Sequence, residues 1–497
     1  MNSKPDKHGP KRGAGSIWPW IKREGLALLV DLYELTMLAG YQATGRAQQR
    51  ACFEYFFREL PTDSGFAVSA GLQQLLDFLE GLRFENEDLE YLAGTGIFGA
   101  EFLEYLRELR FTGDLWAVPE GTVVFAGEPL LRGEGPLGQV QLIETFVLNA
   151  LNYPTLVATK AARVCLAAEH DPVMEFGLRR AQGPDGGLGG SRAAYIGGAS
   201  STSNVLAGKV YGIPVAGTQA HSWVMSFDDE LEAFRAYAKV FPEKLILLVD
   251  TYDTAKSGLP KALKVFQELR EQGREVRPAI RLDSGDLAGL SKLAHRMFSE
   301  AGFEDPLIVA SGDLNEWEIA RLKEDGAKIN CWGVGTQLIS SYDFPALGGV
   351  YKLTAIEQEG RWIGRMKTSS SPEKQTLPAR KRLWRCFDEQ DRCLGDVLAL
   401  ADEDIAETAE LTLAKPGQLD QRQKLKGITR WEDLLKPVLK GGRRVAQQEP
   451  LTTLRERTRQ ALESLPRDLK LLRNPGKYPV YLSAKLAKLT QEAIKAE

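Results

Sequence analysis

From residue 173 to residue 334 the chain repeats one cycle: a short apolar run, a polar or glycine-containing turn, then an amphipathic stretch. The apolar runs lie at 173–177, 213–217, 245–249, 278–282, 307–310 and 329–334, and the helical patterns between and after them at 202–210, 222–240, 261–272, 286–300 and 316–324. Short apolar runs bounded by turn residues read as strands buried on both faces, and the 3.6-residue period between them reads as crossover helices. Repeated about six times, this pattern predicts a parallel sheet, and a closed or nearly closed α/β barrel rather than an open one.

The flanking regions carry other periods. Residues 31–43 predict a helix with Asp31 as N-cap and Leu32, Leu35 and Ala39 on one face. Residues 52–57 read as an aromatic strand, 71–82 as an amphipathic helix and 116–131 as short antiparallel strands, a mixed α and β region ending near Gly138. A largely helical pattern covers 141–170. Beyond the repeated cycle, two strand-like runs within 350–367 flank the Glu359-Gly360 turn. A basic, proline-containing loop follows at 369–385, its lysines Lys374 and Lys381 (with Lys367 just before it) most simply a solvated surface; from Leu451 the chain is helical and rich in Lys and Leu.

Composition narrows the class. The 497 residues are 43% hydrophobic and 26% charged with a net charge of −4, which is globular and excludes disordered, collagen-like and rod-like chains. Such a balance does not point to a polyanion partner, so no nucleic acid is expected. The five cysteines are scattered without a Cys-x-x-Cys pair, which suits a reducing, cytoplasmic setting rather than a disulfide framework or zinc ribbon. No stretch approaches 18 consecutive apolar residues, so no membrane span is expected. Residues 1–18 read as a flexible, basic tail without the apolar core of a secretory signal.

Candidate chemistry gathers where the apolar runs end, which in a parallel α/β barrel is where the loops converge. The first run is followed by Arg179 and Arg180, the second by Thr218, His221 and Ser222, the third by Asp250 and Asp253. The fourth carries Arg281, Asp283, Ser284, Gly285 and Asp286, the fifth leads to Ser311, Gly312 and Asp313, and the sixth ends in Gly333, Gly335 and Thr336. Arginines pair bidentately with phosphates and carboxylates, glycine turns present backbone N–H groups to phosphate, and carboxylates hold sugar hydroxyls or face a developing cation. The set points to an anionic, phosphorylated sugar and a second, carboxylate-bearing substrate. Simpler roles stand beside this. Asp286 reads as a helix N-cap, only one of the adjoining Arg179 and Arg180 is expected to face the mouth, and Tyr33 is by default a packing residue. There is no Walker A sequence, no Gly-x-Gly-x-x-Gly after a strand and no Gly-x-Ser-x-Gly.

Eight stretches in order resemble nicotinate phosphoribosyltransferases: Asp31-Leu-Tyr33-Glu-Leu-Thr36-Met, Glu175-Phe-Gly-Leu-Arg179-Arg-Ala, Gly217-Thr218-Gln-Ala-His221-Ser222, Leu248-Val-Asp250-Thr-Tyr252, Arg281-Leu-Asp283-Ser-Gly285-Asp286, Gly333-Val-Gly335-Thr336, Gly348-Gly-Val-Tyr351-Lys352-Leu and Glu373-Lys-Gln-Thr376-Leu-Pro378. The resemblance implies an irregular, TIM-like α/β barrel of the type II phosphoribosyltransferase kind packed on an α+β sandwich domain, with a C-terminal helical extension. On that plan 19–140 is the N-terminal α+β domain, 141–348 the barrel, 349–450 a returning segment that completes the first domain, and 451–497 the extension. It implies a homodimer with active sites at the interface, Tyr33 reaching the nicotinate ring of the neighbouring subunit. Thr218 and Arg281 match nicotinate-holding residues. Thr336 matches a contact to phosphoribosyl pyrophosphate, to which Arg179, Ser222, Asp250, Gly312 and Gly335 are also assigned. His221 matches the histidine that ATP phosphorylates. Asp283 is the candidate carboxylate facing the ribose or ordering water on Mg2+. One departure is visible: Ala379 follows Pro378 where the family has glycine.

The implied reaction joins nicotinate to phosphoribosyl pyrophosphate, giving nicotinate mononucleotide and pyrophosphate, with ATP hydrolysis coupled to it. Two rival readings are a nicotinamide-specific enzyme on the same fold and a silent homologue serving as a binding subunit. A sugar-phosphate aldolase would need a lysine at a strand end, and Lys160 and Lys209 lie in helical stretches instead.

Overall fold

The computed structural model describes residues 26–367, 375–406 and 410–495. The expected tail, Lys374 and the Glu373 end of the eighth motif fall outside them.

The repeated cycle builds a six-stranded parallel sheet whose spatial order is Ser201–Thr202, Val173–Glu175, Cys331–Val334, Leu307–Ala310, Ala279–Leu282 and Leu247–Leu248. Strand alternation sorts its side chains. Ile280, Leu282, Ile308, Ala310, Trp332 and Val334 pack outward against the surrounding helices. Met174, Val309 and Cys331 pack inward with Phe176, Ala216 and Ile246. Ala216 and Ile246 come from segments at opposite edges of the sheet, so its inner face is curled enough for the two edges to share one cluster.

The departures from expectation have physical reasons. The apolar run at 213–217 contributes only a bridge from Val215 to Thr202, and the edge position goes to Ser201–Thr202, which no hydrophobic pattern marks. The stretch 222–240 is two helices, His221–Met225 and Glu230–Val240, parted at the Ser226-Phe-Asp-Asp turn. Gly183–Ile196 is a helix although six of its first eight residues are glycine or proline; tertiary packing overrides a poor propensity there, because a Cβ at Gly190 would overlap Ile339.

A seven-stranded antiparallel sheet lies beside this unit, in the order Arg361–Gly364, Gly349–Gln358, Arg50–Phe57, Leu131–Pro136, Asp114–Ala117, Lys436–Lys440 and Arg443–Arg444. Chain that follows the parallel unit thus returns to pair with chain that precedes it, with Tyr55 opposite Tyr351. The Glu144–Ala168 helix serves both cores. Phe146, Val147 and Leu151 join the N-terminal core, and Val157, Ala158, Ala161 and Val164 join that of the parallel sheet.

A third sheet runs Gln418–Lys426, Glu410–Lys415, Val480–Ser483, Cys393–Leu400, Lys381–Phe387 and Arg430–Asp433. The last fifty residues are therefore not wholly helical: the Leu451–Ser464 and Ala484–Lys495 helices bracket the strand Val480–Ser483. Lys381 is not a solvated lysine either. It is 3% exposed, pairs with Glu54 at 2.8 Å and donates to the carbonyls of Leu377 and Ala379. Those bonds brace the turn at Ala379, which holds a left-handed φ of 71° without being glycine, a conformation that costs an L-residue about 1–2 kcal/mol. The glycine geometry is kept and the strain is carried by its neighbours.

Candidate active site

Arg281 stands at the centre of the carboxyl ends of the parallel strands. Its Nε donates to Ser311 Oγ at 2.7 Å, Nη1 to Thr218 Oγ1 at 2.8 Å and Nη2 to Asp283 Oδ1 at 2.5 Å. Its guanidinium lies 6.0 Å from the Phe176 ring centroid. The period of two explains the convergence: Arg281 and Asp283 share a face, Val309 pairs with Arg281, and Ser311 follows Val309 on that same face.

Asp283 accepts a second bond from Ser311 Oγ at 2.5 Å. Burial pushes its carboxyl up, but the Ser311 bond and the Arg281 charge outweigh that and hold it below the usual carboxylate range. Its other oxygen lies 3.8 Å from Nε2 of His221. Nδ1 of His221 lies 3.1 Å from Thr251 Oγ1, so the second ring nitrogen is turned to the mouth and is available for chemistry whenever Nδ1 carries the proton. Asp250 is 9% exposed. Its Oδ2 accepts from the Asp283 backbone N–H at 2.8 Å and from Ser284 Oγ at 2.7 Å, while its buried Oδ1 has no partner among the described residues. A buried, unpaired carboxylate oxygen is costly, and a polar ligand group would satisfy it.

Backbone approach sets the remaining surfaces. Gly312 has φ 92°, and a Cβ there would overlap the carbonyl oxygen of Asp283. Gly333 lies so close to the Phe176 ring that a side chain could not fit between them. Gly335 and Thr336 open the short Thr336–Ile339 helix after the Cys331–Val334 strand. Asp286 caps the Leu287–Glu300 helix, its Oδ1 accepting from Gly289 N at 3.0 Å, as its position suggests.

The structure thus brings together Thr218, His221, Asp250, Arg281, Asp283 and Gly312. Arg179 and Arg180 both stand exposed on the Leu178–Arg180 turn, and Ser222 is exposed beside His221. Tyr33 is not in this group. It is 46% exposed on the Leu32–Ala43 helix. Ser284 and Ser311, named among the residues at the run ends but given no role, belong to the mouth, as do Phe176 and Thr251, which carry no chemistry-bearing signature of their own.

Three family models match: the nicotinate phosphoribosyltransferase N-terminal domain over residues 28–152, the nicotinate phosphoribosyltransferase family over 172–380 and the nicotinate phosphoribosyltransferase C-terminal domain over 380–490. Nicotinate phosphoribosyltransferase of Bacillus subtilis (strain 168) is 43% identical over 465 residues, covering 93% of this chain and 94% of that one. The Homo sapiens nicotinate phosphoribosyltransferase is 38% identical over 523 residues, covering 93% of this chain and 95% of the relative. This chain belongs to the nicotinate phosphoribosyltransferase family. The crystal structure of human nicotinic acid phosphoribosyltransferase matches it with a TM-score of 0.83 at 34% identity, over 93% of this chain and 99% of that one.

One residue beside Tyr33 carries a pH signature in this member of the family. Glu34 is fully buried and accepts from Thr145 N at 2.9 Å and Thr145 Oγ1 at 2.8 Å. Burial first, and the nearby Glu144 charge further, push its carboxyl up to about 7 against the Thr145 bonds. A native state that holds a proton more tightly than the unfolded chain loses stability as pH rises through that window, here from the ordinary carboxyl range of about 4 to about 7. Glu34→Gln should flatten that slope, leaving the variant about 1–2 kcal/mol less pH-sensitive than the parent after allowance for solvent screening. Thermal midpoints of both proteins between pH 5 and pH 8 check this; parallel curves would refute it.

Proposed function

We propose that this protein transfers the phosphoribosyl group of phosphoribosyl pyrophosphate to nicotinate, giving nicotinate mononucleotide and pyrophosphate. The observation that carries the reading is the Arg281 fork, fixed by Thr218, Ser311 and Asp283 and set beside His221. A planar, permanently charged guanidinium matches a carboxylate, and Thr218 adds a hydroxyl beside it, which favours the acid over its amide. Attack by the pyridine nitrogen on the anomeric carbon forms the N–C bond as the bond to pyrophosphate breaks. Positive charge builds on the ribose ring in between, and the ionised Asp283 is the group that offsets it. Asp250, through its unpaired Oδ1, is suited to a ribose hydroxyl. Gly312, Gly335, Thr336, Arg179 and Ser222 are proposed to line the phosphate side.

Among the described residues no three acidic, histidine or cysteine side chains cluster as a metal cage. Asp250 and Asp283 nonetheless fit Mg2+ of the kind held by one or two carboxylates, waters and substrate phosphates. Such an ion, when bound, neutralises the departing pyrophosphate.

ATP is the proposed co-substrate. Transfer of its terminal phosphoryl to His221 would release ADP, and later hydrolysis would release phosphate. The phosphohistidine carries roughly two negative charges, at a nitrogen that lies 3.8 Å from Asp283, and that charge would reset substrate and product affinities. His221→Asn should therefore keep slow pyrophosphate release from nicotinate and phosphoribosyl pyrophosphate but lose stimulation by ATP. Release is measured with each substrate, magnesium and ATP omitted in turn; undiminished ATP stimulation in the variant refutes the phosphohistidine role, and turnover of nicotinamide in place of nicotinate refutes the acid preference.

The architecture we propose is an irregular α/β barrel at 141–348 on an α+β domain built from 19–140 and 349–450, with 451–497 as an extension. The curled sheet, whose edge segments share the Met174, Val309 and Cys331 cluster, supports the barrel. We also propose a homodimer. Leu32, Tyr33 and Met37 form an exposed apolar strip on one helix, and Leu178, Val205, Tyr252 and Tyr342 are exposed in loops and a helix that follow the parallel strands. Exposed apolar patches of this kind mark interfaces, and pairing them would bring the partner subunit's Tyr33 to the nicotinate pocket. No helix among the described residues is long and apolar enough to cross a membrane; a cytoplasmic setting is proposed on the scattered, unpaired cysteines.

A further inference from the structure

We propose that Tyr153 is a positioning residue for the phosphoribosyl pyrophosphate site, its hydroxyl locking the Gly335-Thr336 turn to the turn that carries Arg179. The inference rests on the reading that these two turns line the phosphate side of the mouth.

Tyr153 projects from the Glu144–Ala168 helix, and its hydroxyl lies 2.8 Å from the carbonyl oxygen of Ile339 and 3.1 Å from that of Gly186. Its single O–H is shared between them. Ile339 is the last residue of the Thr336–Ile339 helix, and carbonyls at a helix end lack an intrahelical donor. Gly186 lies in the first turn of Gly183–Ile196, a few residues after the Arg179 turn. One hydroxyl therefore ties together the segments that follow two separate strands of the parallel sheet.

Packing tightens the same joint. Ile339 fills the space beside Gly177 and Gly190, where a Cβ at either glycine would overlap its side chain, and a Cβ at Gly190 would also lie 2.8 Å from the Tyr153 hydroxyl. Gly177 begins the Arg179 turn and Gly190 belongs to the next helix, so Ile339 is wedged between them. Further along the same helix, Lys160 pairs with Asp343, just beyond the Thr336–Ile339 helix, and with Glu316 at 2.7 Å. The long helix thus holds the segment after the turn at two points, Ile339 and Asp343. Lys160 is 3% exposed and pairs with two carboxylates, so its removal would leave charges unpaired and threaten the fold. Tyr153 can lose its oxygen with little change of shape. Burial, and then the Glu175 charge, push its phenol well above the usual value, so it remains a donor across the working range.

Misplacing a binding group by even about 1 Å is felt strongly. Tyr153→Phe should raise the KM for phosphoribosyl pyrophosphate about fivefold to tenfold, the worth of about one hydrogen bond, while kcat and the KM for nicotinate stay within about twofold, because Arg281 and Thr218 stand on other segments. Thr336→Ala is measured alongside it. If Thr336→Ala leaves the phosphoribosyl pyrophosphate KM unchanged, the assignment of that turn falls and the inference with it. If Thr336→Ala raises it and Tyr153→Phe does not, only the inference is overturned. A fall in kcat with both KM values shifted and a lowered thermal midpoint would mark Tyr153 as merely structural and also overturn it. Should Tyr153→Phe fail to accumulate as folded protein, Ile339→Val, which trims the wedge, must give the same selective rise or the inference is lost.

Discussion

Arg281→Gln should lower kcat/KM for nicotinate by about a hundredfold to a thousandfold, with most of the loss in KM. The guanidinium is held by Ser311, Thr218 and Asp283 at 2.7, 2.8 and 2.5 Å, so its position is set before substrate arrives and little ordering remains to be done on binding. A charge-assisted bond to a carboxylate is worth about 1.5–3 kcal/mol, and a paired fork more. Glutamine keeps a donor but removes the charge, and it leaves Asp283 without its counter-ion in a half-buried place. Arg281→Lys keeps the charge and loses the fork, and should recover only part of the loss. Steady-state kinetics with nicotinate varied at saturating phosphoribosyl pyrophosphate test this. A KM within threefold of the parent's in the glutamine variant would remove Arg281 from the nicotinate pocket.

The second large effect is expected from Asp283→Asn, with kcat lowered by about a hundredfold to a thousandfold, the scale on which electrostatic groups aimed at a transition state act. Asparagine preserves the shape and one acceptor for Ser311 and Arg281, so the fold should survive. What it lacks is the negative charge. In the parent that charge is secure, because the Ser311 bond and the Arg281 charge outweigh burial and hold the carboxyl below its usual range. The sign follows: the ionised form persists at neutral pH, and the activity it supports is lost only as pH falls through this depressed value. The asparagine variant should show no such acid limb. A kcat within about threefold of the parent, or an unchanged acid limb, would assign the charge requirement to another group.

Much of this site is legible in the sequence because the parallel unit obeys simple rules. Five of its six strands, those beginning at 173, 247, 279, 307 and 331, fall within the expected apolar runs. Arg281, Asp283 and Thr218 were expected to share a mouth because they lie where those runs end, and alternation places Arg281 and Asp283 on one face. What stayed hidden was decided by packing between distant segments. Ser201–Thr202 forms an edge strand with no apolar signature, because its neighbour Val173–Glu175 supplies the burial. Gly183–Ile196 is a helix that no helical pattern marks, because its glycines answer to Ile339 rather than to helix propensity. Lys381 reads as solvated, yet its partner Glu54 lies 327 residues earlier in the chain. Period and composition carry no information about such partners. Tyr33 stands exposed on the Leu32–Ala43 helix, outside the hydrogen-bonded group around Arg281.

The strand Val480–Ser483 takes an interior lane of the third sheet, parallel to Cys393–Leu400 on one side and antiparallel to Glu410–Lys415 on the other. Until residue 483 has left the ribosome, those two neighbours present unsatisfied backbone edges, which are templates for wrong pairing. At about 5–20 residues per second the wait between the Glu410–Lys415 strand and the Val480–Ser483 strand is seconds long. A chain cut before residue 480 would keep every side chain of the mouth and still be unable to zip this sheet, so such a truncation should deplete the folded protein rather than merely trim it.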